Sequence, residues 1–168
     1  MKIKLFIVLL FTFVMTGCTQ ILTTFSEPNI TGYVVDNSDE SVLIVSNQPD
    51  DYSSTGGIEE FYDAVIASNA PDNVEVGDYV EAWYDGGIDQ SYPAQATIGT
   101  LSILPNEQPE GADLTESEAL KKALSQYSSE DHPLVVNSIS YNDDQNTWSI
   151  VLENQSDDVE YSHEVLDE

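Results

Sequence analysis

Gly77-Asp78-Tyr79-Val80-Glu81-Ala82-Trp83-Tyr84-Asp85-Gly86-Gly87 is the stretch that decides the fold. Tyr79, Glu81 and Trp83 alternate with Val80, Ala82 and Tyr84, and a period of two predicts a strand with one face turned to a core. Gly77 and Asp78 form the turn that feeds the strand, and Asp85, Gly86 and Gly87 end it. Upstream, Phe61 to Ala67 is apolar and short, and Asn69, Ala70 and Pro71 stop it, so it reads as a strand and not a helix. Before it, Gln48 to Gly57 is a loop. Earlier still, Tyr33 to Val35 and Val42 to Val45 flank a turn at Asp36 to Asp39 and predict a hairpin starting near Ile30. Downstream, after Tyr92 and Pro93, a fifth strand runs from about Gln95 to Leu104. Five strands with little helix predict a small β-barrel over residues 30–105.

The barrel is followed by a linker over residues 106–112, rich in Pro, Gly and Glu, and by a second unit over 113–168. Thr115 and Glu118 have the spacing of a capping box, and Ala119, Leu120, Ala123, Leu124 and Tyr127 fall on one helical stripe. Leu134 to Tyr141 and Thr147 to Glu153 then flank the polar turn Asn142 to Asn146, and Glu160 to Leu166 reads as a last strand. The expected fold class is mainly β, with an α+β C-terminal unit in which one helix packs on a short antiparallel sheet.

The N-terminus reads as an address. Lys2 and Lys4 precede an apolar run from Leu5 to Met15, too short to span a bilayer, so residues 1–17 are expected to be a signal peptide. Met15-Thr16-Gly17-Cys18 resembles the lipobox of bacterial lipoproteins, which implies a diacylglyceryl group on Cys18, cleavage before it, and acyl chains holding the protein to a membrane. Residues 18–29 would be the tether. The resemblance also accounts for a single cysteine, which has no partner for an internal disulfide.

The 168 residues include 31 Asp and Glu against 4 Lys and no Arg, for a formal charge of −27. A chain of this charge is repelled by a phosphate backbone, so nucleic acid is excluded as a partner. Removal of residues 1–17 takes two of the four Lys and no acid, and deepens the charge to −29. Fifteen acids lie between Cys18 and Pro105 and sixteen beyond, an even spread that fits a solvated polyanionic surface.

Catalytic constellations are not expected. The two histidines, His132 and His163, lack a nucleophile elbow, and Thr55-Gly56-Gly57 lacks the following Lys and helix of a phosphate-cradling loop. Cys18 and two distant histidines make no zinc set, and no cofactor is expected. Asn142, Asp144, Asn146 and Glu153 have EF-like spacing, but position 6 is Thr147 where a glycine is needed, so a hairpin turn accounts for them better. Asp85 and Asp89 are the best-placed pair of acids. With Tyr84 and Tyr92 they make the candidate ligand-binding residues, in a barrel class that binds through strand faces and loops. The bland alternative puts the neighbouring Tyr79 and Trp83 in the barrel core.

Four words carry a further resemblance, in order: Gly32-Tyr33-Val34-Val35, Val76-Gly77-Asp78-Tyr79-Val80, Trp83-Tyr84-Asp85-Gly86-Gly87-Ile88 and Ser91-Tyr92-Pro93-Ala94-Gln95. From Gly32 to Leu104 the chain resembles the YobA-like lipoproteins of bacilli, a family of unknown function. That resemblance implies an OB-like barrel on the outer face of the cytoplasmic membrane of a Gram-positive bacterium. Residues 114–167 resemble, in layout alone, the PepSY modules associated with restraining peptidases. The expected function is non-enzymatic binding of an envelope protein, peptide or glycan. A peptidase-restraining module and a cation-responsive structural protein of the envelope are the alternatives.

Overall fold

The computed structural model describes residues 26–38, 40–127, 133–156 and 159–168. The expected signal peptide, Cys18 and His132 lie outside them. Five strands, β1 (Ile30–Ser38), β2 (Ser41–Val45), β3 (Ala64–Ser68), β4 (Tyr79–Tyr84) and β5 (Ala94–Ile103), close a barrel in the order β1-β2-β3-β5-β4. The β3–β5 pair is parallel and the rest antiparallel, giving the OB-like barrel expected from the sequence.

The alternation in β4 does what its sequence requires: Val80 and Ala82 are fully buried, while Tyr79, Glu81 and Trp83 face outward. Tyr79 and Trp83 are therefore not part of the barrel interior. Tyr79 packs on Tyr33 at 4.6 Å between ring centroids, and Trp83 Nε1 donates to Ser26 O at 2.7 Å. Closure depends on β1, which pairs with β4 over residues 30–33 and with β2 from Tyr33 onward. A bulge between Val34 and Asp36 bends the strand between its two partners. It leaves Val34 in the interior and adds the neighbouring Val35 to a second core. At Gly32 the backbones of β1 and β2 come so close that a Cβ would lie 2.1 Å from Val45 O, which only glycine tolerates.

Two boundaries differ from expectation. Asp36 and Asn37 remain in β1 and the turn falls at Ser38 to Ser41, because Asn37 Nδ2 donates to Val74 O at 2.7 Å and Glu40 supplies the positive φ of 65°. The third strand starts at Ala64, and Phe61 is instead held in an isolated bridge with Asp50. The last residues of the expected tether are also bound to the barrel. Asn29 N donates to Ala82 O at 2.8 Å, and Asn29 Oδ1 accepts from Tyr84 N at 2.9 Å.

In the C-terminal unit, helix α1 (Glu116–Leu124) carries the complete capping box at Thr115 and Glu118, and buries Ala119, Leu120, Ala123 and Leu124. It packs on the antiparallel sheet β6 (Leu134–Asn142), β7 (Thr147–Asn154) and β8 (Val159–Leu166), with β7 in the middle. Residues 142–147 close the β6–β7 hairpin. Asn146 adopts a φ of 54°, and Asn142 Oδ1 accepts from Gln145 N at 3.2 Å.

Ile30, Val34, Val42, Ile44, Val65, Val80 and Ile98 fill the barrel. The opposite faces of its strands supply Val35, Leu43, Val45 and Ala64, and the loop before β3 supplies Tyr62, to another core, which also contains Leu120, Trp148, Ile150 and Leu152. The outside of the barrel and the inside of the C-terminal unit are therefore one packed layer. Asp167, almost at the end of the chain, clasps that layer from below. Its buried carboxylate accepts from Asp113 N at 2.6 Å, Leu114 N at 2.8 Å and Trp148 Nε1 at 3.0 Å.

Candidate functional site

The loop from β2 to β3 (residues 46–63) and the loop from β4 to β5 (residues 85–93) emerge at the same end of the barrel, because β3 and β5 run parallel from adjacent starts, with Val65 opposite Ala94. The first loop is folded back on itself. Asp50 N donates to Phe61 O at 2.8 Å, and Phe61 N returns a bond to Asp50 O at 3.0 Å. This bridge sets the Phe61 ring between Tyr52 and Tyr92, with centroid separations of 5.8 and 5.4 Å. Tyr92 Oη donates to Tyr62 O at 3.2 Å and also meets the side-chain amide of Gln155, from the turn after β7. Tyr52 and Tyr92 each remain 43% exposed, so both ends of the ring chain meet water.

The four residues expected from the sequence are distributed across this end. Tyr84 is half-buried against the barrel core, and Tyr92 joins the ring chain. Asp85 is exposed, its backbone N tied to Thr97 O at 2.8 Å. Asp89 bridges Gln95 and lines a separate polar hollow of about 260 Å³ with Ser68, Gly87, Ala96 and Thr97. A more apolar hollow of about 240 Å³ lies between the barrel and α1, lined by Val35, Val76 and Leu124, and includes none of the four.

Electrostatics tie Tyr84 and Tyr92 to a residue that sequence reading passed over. Both phenols are pushed up to about 12, by burial first and then by the charge of Asp63. Asp63 itself, although much of its surface meets water, is raised by burial and by the nearby charge of Asp50. Tyr52 is raised mainly by Asp50, whose Oδ2 accepts from its hydroxyl at 3.4 Å, and Asp63 adds to the shift. Asp50, Asp63, Tyr52 and Phe61 therefore belong to the same constellation as Tyr84 and Tyr92. The sequence signal was an aromatic residue at each side of a polar, acid-rich loop, but the bridge that brings Asp50 to Phe61 has no local pattern.

Such an arrangement presents partly exposed aromatic rings beside two like-charged carboxylates, Asp50 and Asp63, of one loop. It can stack on and orient a ligand with polarised or cationic groups. The fold places the first unit in the class of small, closed, OB-like barrels. Residues 31–105, which take in all five strands but for Ile30, match the family model described as "Protein of unknown function (DUF3221)". No curated protein and no solved structure matches the chain.

Proposed function

We propose that the chain is a membrane-anchored extracytoplasmic lipoprotein whose barrel is a non-enzymatic binding module, with its ligand at the loop end around Tyr92. The observation that carries the reading is the anchored, outward-facing ring chain Tyr52–Phe61–Tyr92, which links two barrel loops with the C-terminal sheet through Gln155. The apolar run after Lys2 and Lys4 and the word ending in Cys18 support the lipid anchor on the outer face of a Gram-positive membrane. The four words quoted from Gly32 to Gln95 support kinship with the YobA-like lipoproteins. One helix on three antiparallel strands supports a PepSY-like layout for residues 113–168.

The test is binding of the full chain, in detergent micelles, to arrays of peptides and cell-wall glycans, beside Tyr92→Ala. A ligand retained by the native chain and lost by the variant is the expected result. Turnover of a substrate that disappears in Asp85→Ala or Asp89→Ala would overturn the non-enzymatic reading. The anchor is tested separately: Cys18→Ala should abolish labelling by a radioactive fatty acid, and persistence of label would refute it.

A further inference from the structure

We infer that the loop end of the barrel takes an alkylammonium group, seated on the faces of Tyr52, Phe61 and Tyr92 with Asp50 and Asp63 as its counter-ions. The inference rests on the binding reading above and names the chemistry of that same site. Tyr52 and Tyr92, each 43% exposed, and the Phe61 ring between them put aromatic rings, whose faces attract a cation, at the surface of this end. The two carboxylates come from positions 50 and 63 of one loop. The Asp50–Phe61 backbone bridge holds one end of it, and a bond from Ser46 N to Asp63 O at 2.8 Å holds the other.

No lysine of the chain serves them among the described residues. Lys121 Nζ is bound to Glu75 at 2.7 Å, and Lys122 Nζ donates to Glu168 O at 2.6 Å. A hard metal ion is a poor match, because calcium takes six to eight oxygen ligands and a ring face supplies none. An alkylammonium group satisfies both halves of the site: its methylenes or methyls lie on the rings while its charge meets the carboxylates. The rings are set in advance, Tyr92 by Tyr62 O and Gln155, and Phe61 by its backbone bridge, so little ordering opposes binding.

The same group occurs on a peptide lysine and on small quaternary amines, and two probes separate these sources. Full chain labelled at Tyr and Phe is titrated in micelles with Nα-acetyl-lysine amide or tetramethylammonium, with tert-butanol as the neutral control and calcium at matched ionic strength. Both organic cations should shift the Phe61 and Tyr92 ring resonances by NMR. Tighter binding of the lysine derivative assigns the ligand to a peptide, and tighter binding of tetramethylammonium to a small amine. Phe61→Leu should weaken binding about three-fold, and Tyr52→Leu, at an exposed ring, similarly without risk to the fold. Asp63→Asn should weaken it about five-fold. Equal binding of tert-butanol, or no ring shift with either cation, overturns the inference. Array ligands that lack an amine but are lost in Tyr92→Ala overturn it while leaving the binding module intact. Array ligands unaffected by Tyr92→Ala overturn the binding site as well.

Discussion

Leu43→Ala should destabilise the C-terminal unit although Leu43 belongs to the barrel. Leu43 lies in β2 between Val42 and Ile44, which point into the barrel, and its own side chain is buried in the layer shared with Leu120, Trp148 and Ile150. Only 7% of it is exposed, so truncation removes nearly the whole transfer free energy of the lost carbons and leaves a cavity, for about 2–5 kcal/mol. With a urea slope of about 2 kcal/mol/M for a chain of this size, the midpoint should fall by about 1–2.5 M. The chain supplies its own reporters. It has two tryptophans, Trp83 on the barrel strand β4 and Trp148 on β7. Leu43→Ala is placed in Trp83→Phe, where only Trp148 fluoresces, and in Trp148→Phe, where only Trp83 does. Each is compared with its own background, since Trp148→Phe alone sacrifices the bond to Asp167. If the layer is one cooperative unit, both reporters move together. A Trp148 transition that stays in place while the Trp83 transition shifts would refute the shared core.

Gly32→Ala should lower stability by about 1–3 kcal/mol or more in thermal unfolding, because its Cβ would meet Val45 O at 2.1 Å and no flexible side chain can give way. Thr115→Ala removes the cap that accepts from Glu118 N and should cost about 1 kcal/mol by the same assay. Burial raises the Asp167 carboxyl, but bonds from Asp113 N, Leu114 N and Trp148 Nε1 outweigh it and hold the group below its usual 3.8. A lowered folded value stabilises above the unfolded one and is lost as pH falls through the folded one, so Asp167→Asn should flatten the acid limb of stability below about pH 4. Tyr84 and Tyr92 have the opposite sign. Raised to about 12, they favour the fold fully below the ordinary tyrosine value of 10.0 and lose that contribution as pH climbs through 12. Phenolate absorbance on an alkaline titration should show the late class, and Asp63→Asn should bring it earlier.

Strand β4 and the capped helix were legible because each is written locally, as an alternation of six residues and as a threonine three positions before a glutamate. The hairpin turn lies two residues beyond the place its composition indicates, because Asp36 and Asn37 look like turn formers while the pairing with Val42 and the distant carbonyl of Val74 keep Asn37 in the strand. Hydrophobicity alone puts Phe61 in a strand. Its partner, across the ten intervening residues of a largely polar loop, is Asp50, a pairing no period announces. For the same reason the sequence led to Tyr84 and Tyr92 but not to Tyr52, Phe61 and Asp63. Val42 to Val45 held an unread clue, since four consecutive apolar residues in a strand demand burial on both faces.

An excess of carboxylates this large sets a problem that lysine or arginine would usually solve, and the described residues show a different solution. Only Glu75 is paired with a lysine there, and exposed pairs of that kind contribute little. Other acids turn to N–H groups: Asp51 to Ser53 N at 2.8 Å, Asp78 to Glu75 N at 2.8 Å, Glu118 to Thr115 N at 2.8 Å, and Asp167 to two backbone N–H groups and an indole. These bonds are charge-assisted, short, and placed at turns, at the helix cap and at the seam beneath Trp148. They satisfy negative charge without importing positive charge. That leaves the surface anionic throughout, so that a cation brought by a partner meets carboxylates already settled without a lysine beside them.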